Sequence, residues 1–111
     1  MKRDEIQFID DILNYIILIE ESIKNLNEKE FKSDKLLVDA TVRRFEIIGE
    51  AAKNISDKTK KRYHEVEWRK IAGFRDVMIH AYFVVDLGRV WKVIKNDLPG
   101  LKKKMMEIKK V

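Results

Sequence analysis

Apolar residues recur along this chain at intervals of three and four. Ile9, Ile12, Ile16, Ile19, Ile23 and Leu26 follow that spacing, which is the period of one helix face. Asp4 is the candidate N-cap, and Glu5 falls in the first turn, where a carboxylate favours the helix dipole. Ile6, Leu13, Ile17 and Leu18 widen the apolar face beyond a simple stripe. A helix apolar over so much of its circumference lies deep in a bundle or faces a second subunit. Residues 27–33 read as a polar connection. A second long helix is predicted over about 34–54, with Val38, Val42, Phe45, Ile48 and Ala52 in helical register. Within it, Ile47-Ile-Gly-Glu-Ala-Ala52 places small residues where another helix could approach closely.

Ser56 can cap a short basic helix over 57–63, and a turn through 64–67 leads to a helix over about 68–80. Tyr82, Phe83, Val84 and Val85 read as an extended connection. Asp86 is the cap of a helix over 87–96, and Pro99 suits the first turn of a last helix, where its missing N–H costs nothing. Leu101, Met105 and Ile108 continue that helix's apolar face. No repeat, linker or low-complexity tract interrupts the pattern. The expected fold is all-α, a compact four-to-six-helix bundle forming one domain over residues 1–111.

Composition narrows the chemistry. The 111 residues include no Cys, which excludes a disulfide scaffold, a thiolate metal site and a Cys nucleophile. Only four Gly are present, and none forms a nucleotide-cradling loop. No apolar run approaches the roughly 18 residues of a membrane span, and the charged start Met1-Lys-Arg-Asp-Glu lacks a signal-peptide pattern. A soluble, cytoplasmic protein is expected.

The net charge of +5 hides an asymmetry. Residues 1–57 hold 9 Lys and Arg against 13 Asp and Glu, a net of −4, whereas residues 58–111 hold 15 against 6, a net of +9. Lys58, Lys60, Lys61 and Arg62, followed by Arg69 and Lys70, are the candidate RNA-binding residues, with a further lysine cluster at 102–104 and 109–110. A one-sided basic field attracts polyanions, nucleic acid first among them. Solvated lysines that merely keep a small domain soluble give the plainer explanation.

Arg75, Asp76, His80 and Tyr82 are the informative polar residues. They form an R-x-x-x-x-H-x-Y pattern. At about 100° per residue, Arg75 and Tyr82 fall almost on one line of a helix, while His80 is rotated from Arg75 by about 140°. The three converge if the helix ends or bends near His80, or if a second subunit supplies part of the site. The set suits RNA cleavage without a metal. An imidazole can take the proton of a ribose 2′-OH near neutral pH. A guanidinium fork can hold a phosphate and the charge that builds in the transition state, and a tyrosine can stack a base or donate to a phosphate oxygen. Asp76 could orient either partner. The pattern is short, and the same residues could equally be a packing histidine, a core aromatic and an arginine paired with Asp76 or Glu46. His64, the other histidine, reads as a loop residue, and the two histidines lack metal-ligand spacing. Trp68 and Trp91 sit among apolar residues as core rather than as base-stacking platforms. No cofactor is implied.

Longer blocks carry more information: Arg44-Phe-Glu-Ile-Ile-Gly-Glu-Ala-Ala-Lys-Asn-Ile-Ser56, then Trp68-Arg-Lys-Ile-Ala-Gly-Phe-Arg-Asp-Val-Met-Ile-His-Ala-Tyr-Phe83, then Val85-Asp-Leu with Val90-Trp91, and Asp97-Leu-Pro99. In this order they resemble the HepT-like toxins of the HEPN ribonuclease superfamily, over most of the chain. The resemblance implies a helical bundle that dimerises through its long N-terminal helices, with two motifs meeting across a cleft. It implies a metal-independent endoribonuclease toxin of a type VII-like toxin–antitoxin pair, with Arg75 and His80 as the catalytic pair and Asp76 and Tyr82 in support. The implied partner, besides RNA, is a nucleotidyltransferase antitoxin of the MntA type that transfers AMP from ATP to Tyr82. AMP there would add negative charge and bulk where RNA phosphate must enter. The competing expectation is a non-catalytic helical partner that binds substrate for a minimal nucleotidyltransferase.

Overall fold

The computed structural model describes residues 1–110. Eight helices follow one another: α1 (Arg3–Ile23), α2 (Glu28–Ser33), α3 (Lys35–Lys53), α4 (Asp57–Arg62), α5 (Trp68–Ala72), α6 (Phe74–Phe83), α7 (Leu87–Asn96) and α8 (Leu98–Lys109). Five of them, α1, α3, α6, α7 and α8, run for ten residues or more. These form the all-α bundle the periodicity predicts. The other three are single-turn or two-turn connectors.

Local chemistry explains most of the boundaries. Residues 27–33 are not a plain connection, because Asn27 and Glu30 form a reciprocal capping box that folds α2. The helix then buries Phe31, whose ring tilts against Trp91 of α7 at 5.5 Å. The side chains of Asp34, Ser56 and Asp86 accept from the backbone N–H groups of Leu37, Thr59 and Arg89, capping α3, α4 and α7. Asp4, by contrast, lies inside the first turn of α1: the helix starts two residues earlier than expected, and Lys2 holds the cap position without a side-chain bond. Pro99 sits in the first turn of α8 as expected.

The expected helix over 68–80 is two helices. It breaks at Gly73, which ends α5 and starts α6. The break follows from packing on α3. A Cβ at Gly49 would stand 3.1 Å from the Ala72 carbonyl oxygen and 3.4 Å from the Arg75 nitrogen. The backbone of α3 therefore meets the α5–α6 junction directly, the close approach that the small residues of α3 foretell. Tyr82 and Phe83 belong to the last turn of α6, not to an extended segment.

The end of α6 carries strain. Asp86 N–H donates to the Ala81 carbonyl at 2.8 Å and Val85 N–H to that of Tyr82 at 3.2 Å, the paired bonds of a Schellman motif. The residue that must turn left-handed is Val85, at φ 57°, where glycine is usual.

The apolar face of α1 packs between α3 and α8. Ile9, Ile12, Leu13, Ile16, Ile19 and Ile23 are buried there, with Phe45 and Ile48 of α3 and Met105 of α8 in the same core. Ion pairs from Lys102 to Glu20 (3.1 Å) and from Lys109 to Asp10 (2.6 Å) place α8 antiparallel to α1. Most of the wide face is thus covered within one chain, and Ile6 and Leu18 remain exposed.

Candidate functional site

The basic helix α4 is too short to persist alone and is held by one carboxylate. Glu5 of α1, 6% exposed, accepts from the backbone N–H of Ser56 and, at 2.9 Å, from the hydroxyl of Thr59. These bonds, Ser56 foremost, outweigh burial and hold the Glu5 carboxyl down at about 2. Lys58, Lys61 and Arg62 remain exposed on α4 and Lys60 is partly so. Lys58 and Arg62 border a cavity of about 380 Å³ that also touches Lys2 and Tyr63, and the Arg62 guanidinium lies 5.5 Å from the Tyr63 ring centre. On α5, Arg69 is exposed, whereas Lys70 bonds Asp97 at 2.9 Å, and that bond raises the pKa of its ammonium. Lys70 is thus the least available of the six basic candidates.

Helix α6 runs antiparallel to α3: its start, Arg75, lies by Gly49 and Glu50, and its end, Tyr82, lies by Asp39. Arg75 is 44% exposed, with Nε 3.8 Å from Glu50 and Nη1 3.9 Å from Asp76. Both separations exceed hydrogen-bond range, so the guanidinium is steered by carboxylates while its donors stay available to a phosphate. The expected alternative partner, Glu46, pairs instead with Arg43 at 3.4 Å. His80 is exposed and makes no side-chain hydrogen bond or ion pair among the described residues. Tyr82 is 37% exposed. Asp39 beside it offers an acceptor to the neutral phenol and repels the phenolate, which holds Tyr82 above its ordinary range.

The helix is continuous from Arg75 through His80 to Tyr82. No bend swings the imidazole toward the guanidinium, so within one chain the about 140° offset persists. Arg75 and Tyr82 share the edge of α6 that borders α3, and His80 stands apart from it. The structure brings all four motif residues onto one exposed helix without making a closed constellation inside one subunit. Among the described residues no three His, Asp or Glu side chains gather as metal ligands would. His64 lies in the exposed turn after α4, while Trp68 is buried, as expected of a core residue, and bonds the Tyr63 carbonyl at 3.1 Å. Trp91 is partly buried against the same core, with the Lys95 ammonium 5.0 Å from its ring centre.

Two acidic residues near the motif, Glu50 and Asp39, were not singled out by sequence. The small-residue block containing Gly49 signals the helix contact, but nothing in a single sequence shows which carboxylates of α3 border α6. Phe83, 78% exposed beside Tyr82, was expected to be part of a connection.

Comparison with known proteins supplies the context. The family profile described as "Ribonuclease HepT-like" matches residues 12–108. A Thermococcus cleftensis protein named "Probable ribonuclease HepT" is 43% identical over 110 residues, 99% of this chain and 100% of its own length. A Methanocaldococcus jannaschii protein named "Gamma-glutamylcyclotransferase and putative RNase" is 43% identical over 108 residues, 97% of this chain. The chain spans only 49% of that relative's length. A Caldanaerobacter subterraneus "Putative RNase" is 37% identical over 101 residues, 91% of this chain and 90% of its own. No solved structure matches the chain significantly. With its profile match extending from α1 to the end of α8, this chain belongs to the ribonuclease HepT-like family.

Proposed function

We propose that the protein is a metal-independent endoribonuclease whose active site is built on α6. The observation that carries this reading is the exposure of Arg75, His80 and Tyr82 on one helix, with the imidazole unengaged and the guanidinium held only loosely by Glu50 and Asp76. Ribonuclease names among relatives of nearly equal length support the same substrate class.

In this reading His80 accepts the proton of a ribose 2′-OH as that oxygen attacks the adjacent phosphorus. The bond from phosphorus to the 5′-oxygen of the next nucleotide breaks, that oxygen leaves protonated as a 5′-hydroxyl, and a 2′,3′-cyclic phosphate remains. Arg75 binds the phosphate and the charge that accumulates on its oxygens in the transition state. The angular offset between the two residues on a straight helix favours a site completed across a homodimer, in which each guanidinium faces the other subunit's imidazole. The exposed Leu18 and the partly covered Phe8 and Tyr15 recur on one face of α1 and offer that dimer an apolar contact. Tyr82, at the rim and partly exposed, is the acceptor for AMP from a nucleotidyltransferase antitoxin. An adenylyl phosphate there would repel incoming RNA and close the cleft. The protein then acts as the toxin of a toxin–antitoxin pair in the cytoplasm.

Incubation of the purified chain with RNA in EDTA tests the reading. Cleavage is expected, and Arg75→Ala or His80→Ala abolishes it while helical content survives. Full cleavage by His80→Ala would overturn the general-base assignment. With the antitoxin and ATP, the wild-type chain gains the mass of AMP and Tyr82→Phe does not.

A further inference from the structure

Helix α6 ends over a groove on α3. This cavity of about 340 Å³ has Val42 and Ile79 as apolar lining and is bordered by Tyr82 and Phe83. Arg43 and Glu46 lie on the same groove but neutralise each other. Asp39 has no cationic partner among the described residues; the Tyr82 phenol beside it occupies part of its acceptor capacity, and the carboxylate keeps further lone pairs for a donor in the groove. The two aromatic rings meet edge to face at 6.0 Å and 86°, which leaves the Phe83 ring standing into solvent. A phenylalanine this exposed at the mouth of an apolar groove marks a contact surface.

The charge pattern selects the occupant. The Asp39 carboxylate, not neutralised by a cation, repels a phosphate and can accept from an N–H donor as well as from Tyr82. Arg75, about 10 Å away along the helix axis, has the opposite preference. A nucleotide laid along α6 therefore directs its phosphate toward Arg75 and its base toward Asp39 and Phe83.

We infer that this groove is a nucleobase subsite, in which the base next to the scissile phosphate stacks on Phe83 and donates its exocyclic amino group to Asp39. Adenine, cytosine and guanine present such a group. Uracil's one ring donor is flanked by two carbonyl oxygens that would face the carboxylate, so uracil is disfavoured. This inference rests on the ribonuclease reading and adds a sequence preference to it.

Short labelled oligouridines carrying one variable nucleotide test the assignment, with cleavage measured on the wild-type chain and binding measured by fluorescence anisotropy on His80→Ala. Substrates with an amino-bearing base are expected to be cut and bound about tenfold better than all-uridine RNA, the scale of one hydrogen bond to a charged acceptor, since stacking on Phe83 is open to every base. Asp39→Asn is expected to erase the preference without weakening all-uridine binding. Phe83→Ala raises KM about tenfold with kcat kept, and Phe83→Trp restores it. Equal cleavage and binding of all four bases, or a preference unchanged in both Asp39→Asn and Phe83→Ala, would overturn the subsite. Base-selective binding without cleavage by the wild type would leave the subsite standing and overturn the ribonuclease reading instead.

Discussion

Gly49 of α3 and Arg75 of α6 meet backbone to backbone: a Cβ on the glycine would stand 3.4 Å from the arginine's nitrogen and 3.1 Å from the carbonyl oxygen of Ala72. The arginine proposed to bind phosphate is thus positioned by the absence of a side chain on the neighbouring helix. Neither neighbouring atom is the far end of a flexible side chain, so relief requires the helices to separate. Gly49→Ala is expected to cost about 1–3 kcal/mol as overpacking, against the roughly 1 kcal/mol that alanine gains over glycine in a helix, a net loss of up to about 2 kcal/mol. Urea unfolding reads the loss, and RNA cleavage is expected to fall further than the stability change accounts for. A variant as stable as the wild type would show that the contact yields.

Val85 gives an opportunity in the opposite direction. A β-branched residue in the left-handed region costs about 1–2 kcal/mol, part of which glycine returns as added freedom in the unfolded chain. Val85→Gly is expected to raise stability by about 1 kcal/mol. Val85→Ala, which keeps the Cβ, is expected to gain clearly less. The difference in their denaturation midpoints isolates the strain.

The Glu5 carboxyl provides a pH signature. Its pKa is lowered from 4.5 to about 2 in the folded state, so its contribution is complete above pH 4.5 and is lost as pH falls through that window toward 2. Glu5→Gln is expected to remove about 2 kcal/mol at neutral pH, the value of hydrogen bonds to a charged acceptor. It also flattens the dependence of stability on pH between those limits. Parallel slopes for the two proteins across that range would refute the assignment.

Glu50 tests how Arg75 is held. The pair is exposed and long, so Glu50→Gln is expected to change stability by no more than about 0.5 kcal/mol. Its effect belongs to RNA. With the carboxylate gone, the guanidinium is freed for phosphate, and affinity for RNA rises a few-fold while its salt dependence steepens. Unchanged binding would mean that Glu50 exerts no control over the arginine.

The basic surface of α4 makes a separate claim. Replacing Lys58, Lys60 and Lys61 together by Ala is expected to weaken RNA binding and to reduce the slope of log K against log salt by about 2, on the order of 0.7 per lost phosphate contact for a single strand. An unaltered slope would assign those lysines to solubility alone.

The bundle was legible because its cues are local. Apolar spacing on α1 and α3, and the caps Asp34, Ser56 and Asp86, act within a few residues of where they stand. The break at Gly73 was not legible from its own neighbourhood. It depends on α3 passing at backbone distance, through contacts of Gly49 with Ala72 and Arg75, which lie 23 and 26 residues further along the sequence. The α2 helix is illegible for another reason: residues 27–33 are mostly charged or polar, and the Asn27–Glu30 box that folds them shows no apolar period. At the site, Arg75, Asp76, His80 and Tyr82 stood out as a pattern. Their surroundings did not, since whether Arg75 pairs with Glu46 or Glu50 turns on one helical turn of register between α3 and α6. Tyr82 and Phe83 looked extended because they are aromatic and precede two valines, yet the bond from Val84 N–H to the His80 carbonyl keeps both in the last helical turn, which the Schellman bonds then close.

The tie from Glu5 to Ser56 and Thr59 separates what folds α4 from what charges its surface. What anchors this helix lies at its first turn and on its inner side, while the lysines and Arg62 lie outward. Substitutions among those outward residues leave the anchor intact. Charges there can therefore be added or removed one at a time, changing the electrostatic field of this end of the molecule, at almost no expense to folding.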